Sequence, residues 1–252
     1  LYFWTHNTPI ANNVYTSNDY AVYNLLGGVA TYNAPNSGVN NTKPDGTIAS
    51  AQAFFTTSIK DGGAVIFNNS MRILGQNTTF FRTKNNKQKA ASRTEKHRIW
   101  LNLSNAQGAF KQLLVGYASG ATNEYDGSFD GETFDGNEYI DFYSVSQDRN
   151  LVIQGRALPF DETDTVSLGY KSKIEGNFNI SIDEVDGLFK SQDVYLEDNL
   201  LNTTHNLKYA PYGFTTQAGS FDGRFVLRYT DKTLGKRNFD SLSNQIIISK
   251  DK

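Results

Sequence analysis

The sequence contains no cysteine, which excludes disulfide bonds and metal sites built from thiolates. Methionine occurs once and proline five times. No apolar run approaches the roughly 20 residues that a membrane-spanning helix needs. The formal net charge is −2, so no overall field attracts nucleic acid or an anionic membrane. None of these absences places the protein inside or outside the cell, because a secreted β-protein can rely on its core alone.

Aromatic residues are abundant instead, at 13% of the chain, with 14 Tyr and 17 Phe. Together with β-branched residues, and with Gly, Asn and Asp between them, they are typical of short strands joined by tight turns. No segment keeps a 3.6-residue period, so we expect no long helix. The length of 252 residues allows one large β domain or two smaller ones.

Composition divides the chain into four parts. Residues 1–82 predict a β-rich domain that opens in mid-strand, so we expect it to be truncated at its N-terminus. Residues 83–94 read as a basic, polar linker without interleaved aromatics, which argues against a nucleic-acid groove. Residues 95–230 predict a β-sandwich, and residues 231–252 read as a further linker that includes one isolated strand candidate, Asn244–Ser249.

Strand candidates recur through the first and third parts. In the first part they are Tyr20–Leu26, Ile48–Ser58, Gly63–Asn68 and Thr79–Arg82. In the third part they are Arg98–Leu103, Gln112–Tyr117, Tyr139–Ser144, Leu151–Arg156, Thr165–Lys171, Gly176–Ile182, Val194–Asp198, Thr203–Leu207, Tyr212–Thr216 and Arg224–Tyr229. A spacing of roughly 8–14 residues predicts an all-β fold, an antiparallel, jelly-roll-like sandwich, with two consecutive β domains as an open alternative.

An acidic loop over residues 126–138 is the most distinctive local feature. Its opening places oxygen ligands at alternate positions with a glycine at the turn, as in calcium loops. The pattern then departs, because a bidentate Glu falls one residue late and no helices flank the loop. Two interpretations stay open: a solvated Asp/Gly turn, or a structural calcium site. The calcium ligands would be Asp126, Asp130, Asp135 and Glu138.

Catalytic motifs are lacking in the sequence. The three histidines, His6, His97 and His205, lie far apart and predict surface or structural residues. No nucleophile elbow or phosphate-binding glycine loop occurs. Two acids facing across a cleft would suffice for a glycosidase, so a β-sandwich hydrolase stays open, although we expect no catalytic residues and no enzyme.

Aromatic residues raise a further alternative, a sugar-stacking platform like that of a carbohydrate-binding module. Trp100 alternates with Ile99 and Leu101, and core burial is the better prediction for it because aromatics dominate the cores of β-proteins.

Several ordered blocks of sequence resemble a known kind of protein. The blocks are Tyr2–His6, Asp19–Asn24, Phe67–Arg72, Glu95–Leu103, Gly108–Gln112, Asp135–Glu138, Phe142–Ser144, Val194–Asp198, His205–Lys208 and Arg224–Thr230. Together they resemble the module that precedes the type C sorting signal in large adhesin-like proteins, exported by the type IX secretion system of Bacteroidota such as flavobacteria. The resemblance covers nearly the whole chain, and we expect the sorting signal itself to begin near Asn244 and to lie mostly beyond this sequence.

The resemblance implies a non-catalytic structural and display module of a large surface or secreted protein. Its location would be extracellular, at the outer-membrane surface, and some such proteins serve gliding motility. Its partners would be the type IX outer-membrane translocon and its shuttle protein during export, and surface glycans or other surface proteins afterwards. The alternative is a carbohydrate-binding module attached to a secreted polysaccharide-degrading enzyme.

Overall fold

A computed structural model describes residues 1–4, 20–31, 43–58, 63–73, 94–134 and 139–231 of the chain. Within these ranges the protein is all-β, and its helical turns are two short 3-10 turns at Asn69–Met71 and Gly187–Lys190. The all-β prediction is confirmed. In the same ranges no helix is long and apolar enough to cross a membrane.

A small antiparallel sheet forms near the N-terminus. Its strands are β1 (Tyr2–Trp4), β2 (Tyr20–Tyr23) and β3 (Gly28–Val29), in that order across the sheet. The strands predicted at Ile48–Ser58 and Gly63–Asn68 are wrong, apart from one isolated bridge between Phe55 and Tyr2. The segment from 63 to 68 is exposed and pairs with no strand among the described residues. The predicted strand Thr79–Arg82 lies outside the described residues.

A large sheet contains the other eleven described strands. They are β4 (Lys96–Asn105), β5 (Phe110–Ala118), β6 (Gly131–Glu132), β7 (Ile140–Ser146), β8 (Arg149–Ala157), β9 (Thr165–Ser172), β10 (Gly176–Val185), β11 (Tyr195–Asp198), β12 (Thr203–Asn206), β13 (Tyr212–Thr216) and β14 (Gly219–Arg228). All ten strands predicted in this part are present, and β6 is the one that the sequence did not predict.

The strand order is β12-β11-β14-β9-β7-β8-β5-β4-β10-β13, with β6 added on β8. Neighbouring strands are antiparallel except β5 and β8, which run parallel. The chain between these two strands, which contains β6 and β7, is long enough for the crossover that a parallel pair requires.

One face of the large sheet turns inward and forms the main core. Alternate residues of most strands supply it, as period-2 patterning requires. Its members include Ile99, Leu101, Val115, Phe142, Leu168, Tyr170, Ile180, Phe214, Phe225 and Leu227, all buried. The sheet curls back on itself, so that β13 and β14 contribute rings to the same core. The Phe214 and Phe225 ring centroids lie 4.8 Å apart.

A buried ion pair joins the two ends of this curled sheet. The Arg224 guanidinium on β14 donates to the Asp198 carboxylate on β11 at 2.9–3.2 Å and to the Thr215 carbonyl on β13 at 3.0 Å. The Tyr212 hydroxyl on β13 also donates to Asp198, at 3.0 Å. We call this group, with Asp198, Tyr212 and Arg224 as its members, the latch.

The outer face of the sheet is partly covered by the N-terminal strands. Val22 and Leu26 pack against Trp100, Leu114 and Val152 in a second buried cluster. The Trp100 indole donates from Nε1 to the Gly28 carbonyl at 2.8 Å and is 4% exposed, so its predicted burial is confirmed. The division into domains at 1–82, 83–94, 95–230 and 231–252 stays a prediction, but the described part of the first region shares a core with the large sheet.

Candidate functional site

A polar groove lies on the outer face of the large sheet, beside the area that the N-terminal strands cover. Its volume is about 620 Å³, within the range of small-molecule sites. The lining residues are Glu132, Thr133, Asp141, Tyr143, Gln147, Asp148, Arg149, Asn150, Lys171, Ser220 and Asp222. Every one of these side chains carries a hydrogen-bonding group, so the groove is built for a polar ligand.

Three neighbouring strands set the floor of the groove by their register. Asp141 on β7 lies opposite Lys171 on β9, and Lys171 lies opposite Ser220 on β14. Residues two apart share a face of a strand, so Tyr143 and Gly169 form the next row of the same face. The intervening Phe142 and Tyr170 point into the main core, which explains why the opposite face is free to be polar.

The Asp141 carboxylate is fixed at the inner wall of the groove. It is 2% exposed. It accepts hydrogen bonds from the Thr133 hydroxyl at 2.9 and 3.0 Å and from the Phe142 N–H at 2.9 Å. The Lys111 ammonium lies 3.2 Å from it. A buried charge with a cation and several donors is satisfied in place, so Asp141 holds the inner wall of the groove in position.

A tyrosine and an irregular stretch of β14 form the second row. The ladder between β14 and β9 shifts register between Phe221 and Phe225, a bulge that aims Asp222 over Gly169. The Tyr143 hydroxyl donates to Asp222 at 2.7 Å. A Cβ atom on Gly169 would lie 2.4 Å from Tyr143 Cε2 and 2.7 Å from Asp222 Oδ1. Glycine is therefore required here for both side chains to lie across β9.

The lining carries more negative than positive charge. The acids Glu132, Asp141, Asp148 and Asp222 are opposed by Arg149 and Lys171 in the lining and by Lys111 beside Asp141, which leaves one more negative than positive charge. Arg149 forms an ion pair with Glu132 and stacks on the Tyr125 ring at 4.2 Å. A net negative lining disfavours phosphates and other anions, and favours a neutral ligand whose hydroxyls donate to the carboxylates.

The calcium ligands predicted from the sequence are only partly described. Asp135 and Glu138 lie outside the described residues. Asp126 Oδ1 accepts from the Ser128 N–H at 2.9 Å. Asp130 accepts through one oxygen from the Asp126 N–H at 2.6 Å and through the other from the Gly155 N–H at 2.8 Å.

These two aspartates therefore organise their own turn through backbone hydrogen bonds. Burial raises the pKa of Asp130 to about 6, although its two backbone hydrogen bonds lower it. In the described ranges no group of three or more His, Cys, Asp or Glu side chains is arranged to hold a metal ion. Calcium at this loop stays a prediction, which a rise in melting temperature on adding calcium to chelator-treated protein would support.

Two histidines have structural contacts. The His97 Nδ1 accepts from the Leu188 N–H at 3.1 Å, and the His205 Nε2 lies 2.8 Å from the Ala210 carbonyl oxygen. Both contacts agree with the structural role that the sequence predicted. His6 lies outside the described residues.

Sequence reasoning missed the groove itself. The signal was present as polar residues at alternate positions of otherwise apolar strands, Asp141 and Tyr143 in β7 above all. The sequence did not indicate the strand order, which brings β6, β7, β9 and β14 together across more than 80 residues.

The model of one protein family, described as Domain of unknown function (DUF8693), matches residues 1–229. No curated protein and no solved structure matches the chain.

Proposed function

The chain belongs to this family of unknown function, and we propose that it is a carbohydrate-binding module that holds a neutral saccharide in the groove over β7, β9 and β14. One observation supports the proposal most directly: side chains that line the groove hold one another in position. Thr133 orients Asp141, and Tyr143 orients Asp222.

The chemistry of the lining suits sugar hydroxyls. Each hydroxyl both donates and accepts, and the groove offers carboxylates as acceptors beside Gln147, Asn150 and Lys171 as donors. Side chains that are fixed before binding lose little entropy when the ligand arrives. The net negative lining further separates a neutral saccharide from a nucleotide or a phosphorylated sugar.

Native affinity electrophoresis tests this proposal. The full chain is run through gels containing xylan, mannan, mixed-linkage glucan or pectin, beside Asp222→Ala. The matched control is Glu162→Ala, an exposed acid outside the groove. We expect at least one polysaccharide to retard the wild type and the control. Asp222→Ala should bind about tenfold more weakly, because it loses a charged hydrogen-bond acceptor. No retardation in any gel, or equal retardation of Asp222→Ala, contradicts the proposal.

The same gels distinguish binding from hydrolysis. The groove contains several carboxylates, as a glycosidase cleft would, so the polysaccharide that binds is also assayed for released reducing ends. We expect no release. Release that Asp141→Asn abolishes would show an enzyme instead.

A second proposal concerns where the module works. We propose that it belongs to a large surface protein exported by the type IX secretion system, where it holds neighbouring regions away from the cell. The sequence blocks that resemble such proteins support this proposal, and so does the construction of the large sheet. Long antiparallel ladders and the buried latch hold the large sheet together. A sheet held in this way suits a rigid spacer between neighbouring regions of a surface protein.

Immunoblots of cell fractions test the second proposal, with and without a working translocon. A band far larger than the 28.1 kDa of this chain at the cell surface, shifted to the periplasm without the translocon, is the expected result. A product of fragment size that does not depend on the translocon contradicts it.

A further inference from the structure

Four aromatic rings form a cluster where the N-terminal strands meet β6, and we call it the aromatic rim: Tyr2, Tyr20, Phe55 and Phe134. The Phe134 ring stacks on Tyr2 with centroids 4.1 Å apart and an interplanar angle of 27°. Its edge contacts Tyr20 at 5.2 Å and Phe55 at 6.3 Å. Phe55 also contacts Tyr20, at 5.9 Å. The rings therefore support one another in fixed orientations.

Two of these rings are unusually exposed for phenylalanine. Phe55 is 59% and Phe134 is 46% exposed, whereas Tyr2 beneath them is buried. Scattered surface apolar residues need no explanation, but adjacent exposed rings on a buried aromatic base are typical of a binding surface. An ordered ring loses little rotamer freedom when a ligand stacks on it.

The aromatic rim adjoins the groove. Glu132 and Thr133 line the groove, and Phe134 follows them directly. The Tyr2 hydroxyl donates to the Glu132 carbonyl at 2.9 Å, which ties the base of the rim to the wall of the groove. Burial, followed by the nearby Glu132, raises the pKa of Tyr2 to about 12, so this hydroxyl remains a donor at neutral pH.

One ligand chemistry fits both surfaces. A saccharide chain has hydroxyl edges that suit the groove and apolar C–H faces that stack on aromatic rings. Single-stranded nucleic acid also stacks on rings, but it needs a cationic track for its phosphates, and the adjoining groove has a net negative lining.

We infer that the aromatic rim is a second subsite for the saccharide that occupies the groove, so that the module binds an extended oligosaccharide along both surfaces. This inference rests on the proposed groove function and adds a second subsite, which requires a ligand of several sugar units. It assigns Phe134 and Phe55 to stacking on the sugar units that extend beyond the groove.

Calorimetric titration of the full chain tests the inference, with cello-, xylo- and manno-oligosaccharides of two to six units as probes. We expect the affinity for the series that binds to rise with length until both surfaces are filled. Phe134→Ala and Phe55→Ala should each weaken binding of the longest oligomer about threefold to tenfold and leave the shortest unchanged. Tyr209→Ala is the matched control, because Tyr209 is 83% exposed and lies outside both surfaces.

The outcomes separate this inference from the groove proposal. Equal affinity for short and long oligomers, with no loss in either phenylalanine variant, overturns the aromatic subsite and leaves the groove intact. If no oligosaccharide and no polysaccharide binds, both fail. Phe55→Ala keeps the test decisive if Phe134→Ala unfolds, since Phe55 is the more exposed ring.

Discussion

At the scale of single residues, Gly169 determines whether the groove can exist. The Tyr143 ring and the Asp222 carboxylate both lie over its backbone, at distances that leave no room for a Cβ atom. The two side chains are hydrogen-bonded to each other, so displacing one moves the other. The geometry of the groove floor thus depends on the absence of a side chain at Gly169.

We predict that Gly169→Ala abolishes saccharide retention and lowers stability by about 1–3 kcal/mol, as overpacking does. Gly223→Ala is the matched control on β14, because a Cβ atom there meets nothing within 4 Å. Titration calorimetry and denaturant unfolding measure the two effects. Unchanged binding in Gly169→Ala would mean that Tyr143 and Asp222 are not part of the site.

The role of Gly169 in the groove could not be predicted from the sequence. Glycine within a strand indicates a bulge or a close approach, but the approaching side chains come from β7 and from a bulge in β14. The burial of Trp100 was predictable, since it depends on local alternation and on the size of the side chain. Contacts between distant strands depend on register, which no local pattern specifies.

At the scale of secondary-structure elements, the latch holds the curled sheet together. Asp198 is fully buried, and its carboxylate receives Arg224 and Tyr212 from two other strands. The guanidinium packs against the Phe214 and Phe225 rings, at 4.7 and 4.9 Å from their centroids. Removing one partner would leave the other charge buried without compensation.

We predict that Arg224→Met lowers the free energy of unfolding by about 3–5 kcal/mol. The control is Arg149→Met, which breaks the exposed ion pair with Glu132 and should cost less than about 1 kcal/mol. Urea unfolding of both variants checks the difference. Similar small losses in the two variants would show that the latch contributes little.

The latch also predicts a pH dependence. Burial by itself raises the pKa of Asp198, but hydrogen bonds from Arg224 and Tyr212 outweigh burial and hold the pKa below its ordinary value. As pH falls, the Asp198 carboxylate is therefore protonated in the unfolded chain before it is protonated in the folded protein. The contribution of Asp198 to the free energy of unfolding is complete above about pH 4 and is lost below it. Asp198→Asn lacks this contribution.

We therefore expect the stability difference between wild type and Asp198→Asn to be large at pH 6 and to shrink as pH falls through 4 toward 3. Urea unfolding at each pH measures it. A difference that stays constant or grows on acidification contradicts the assignment of the lowered pKa to Asp198.

The strands themselves were largely predictable in residues 95–230, where alternation and regular turn residues agree with the tertiary structure. The failures at Ile48–Ser58 and Gly63–Asn68 have a common cause. These segments have strand-like composition, but a strand forms only where a neighbour accepts its hydrogen bonds, and that neighbour cannot be identified from the segment itself.

At the scale of the whole molecule, the N-terminal strands and the large sheet share a buried cluster. Trp100 is central to it, because its indole fills the contact and donates to the Gly28 carbonyl. A shared core predicts cooperative unfolding, whereas two independent domains would unfold separately.

We predict that Trp100→Phe lowers stability by about 1–3 kcal/mol, because the Gly28 carbonyl loses its donor. The variant leaves Trp4 as the remaining tryptophan of the two in the sequence, so fluorescence follows the N-terminal strands and far-UV circular dichroism follows the large sheet. Coincident transitions in urea are expected. A separate transition for Trp4 would support independent domains at 1–82 and 95–230.

A saccharide that binds on the outer face of the large sheet, in the groove and along the aromatic rim, should perturb the backbone of both surfaces. The most direct measurement is an amide chemical-shift titration of the isotopically labelled chain with xylo-, manno- and cello-hexasaccharides. We expect shifts concentrated at Glu132–Phe134, Asp141–Tyr143, Gly169–Lys171 and Ser220–Asp222. Absence of shifts with every hexasaccharide, or shifts confined to another face, would contradict it.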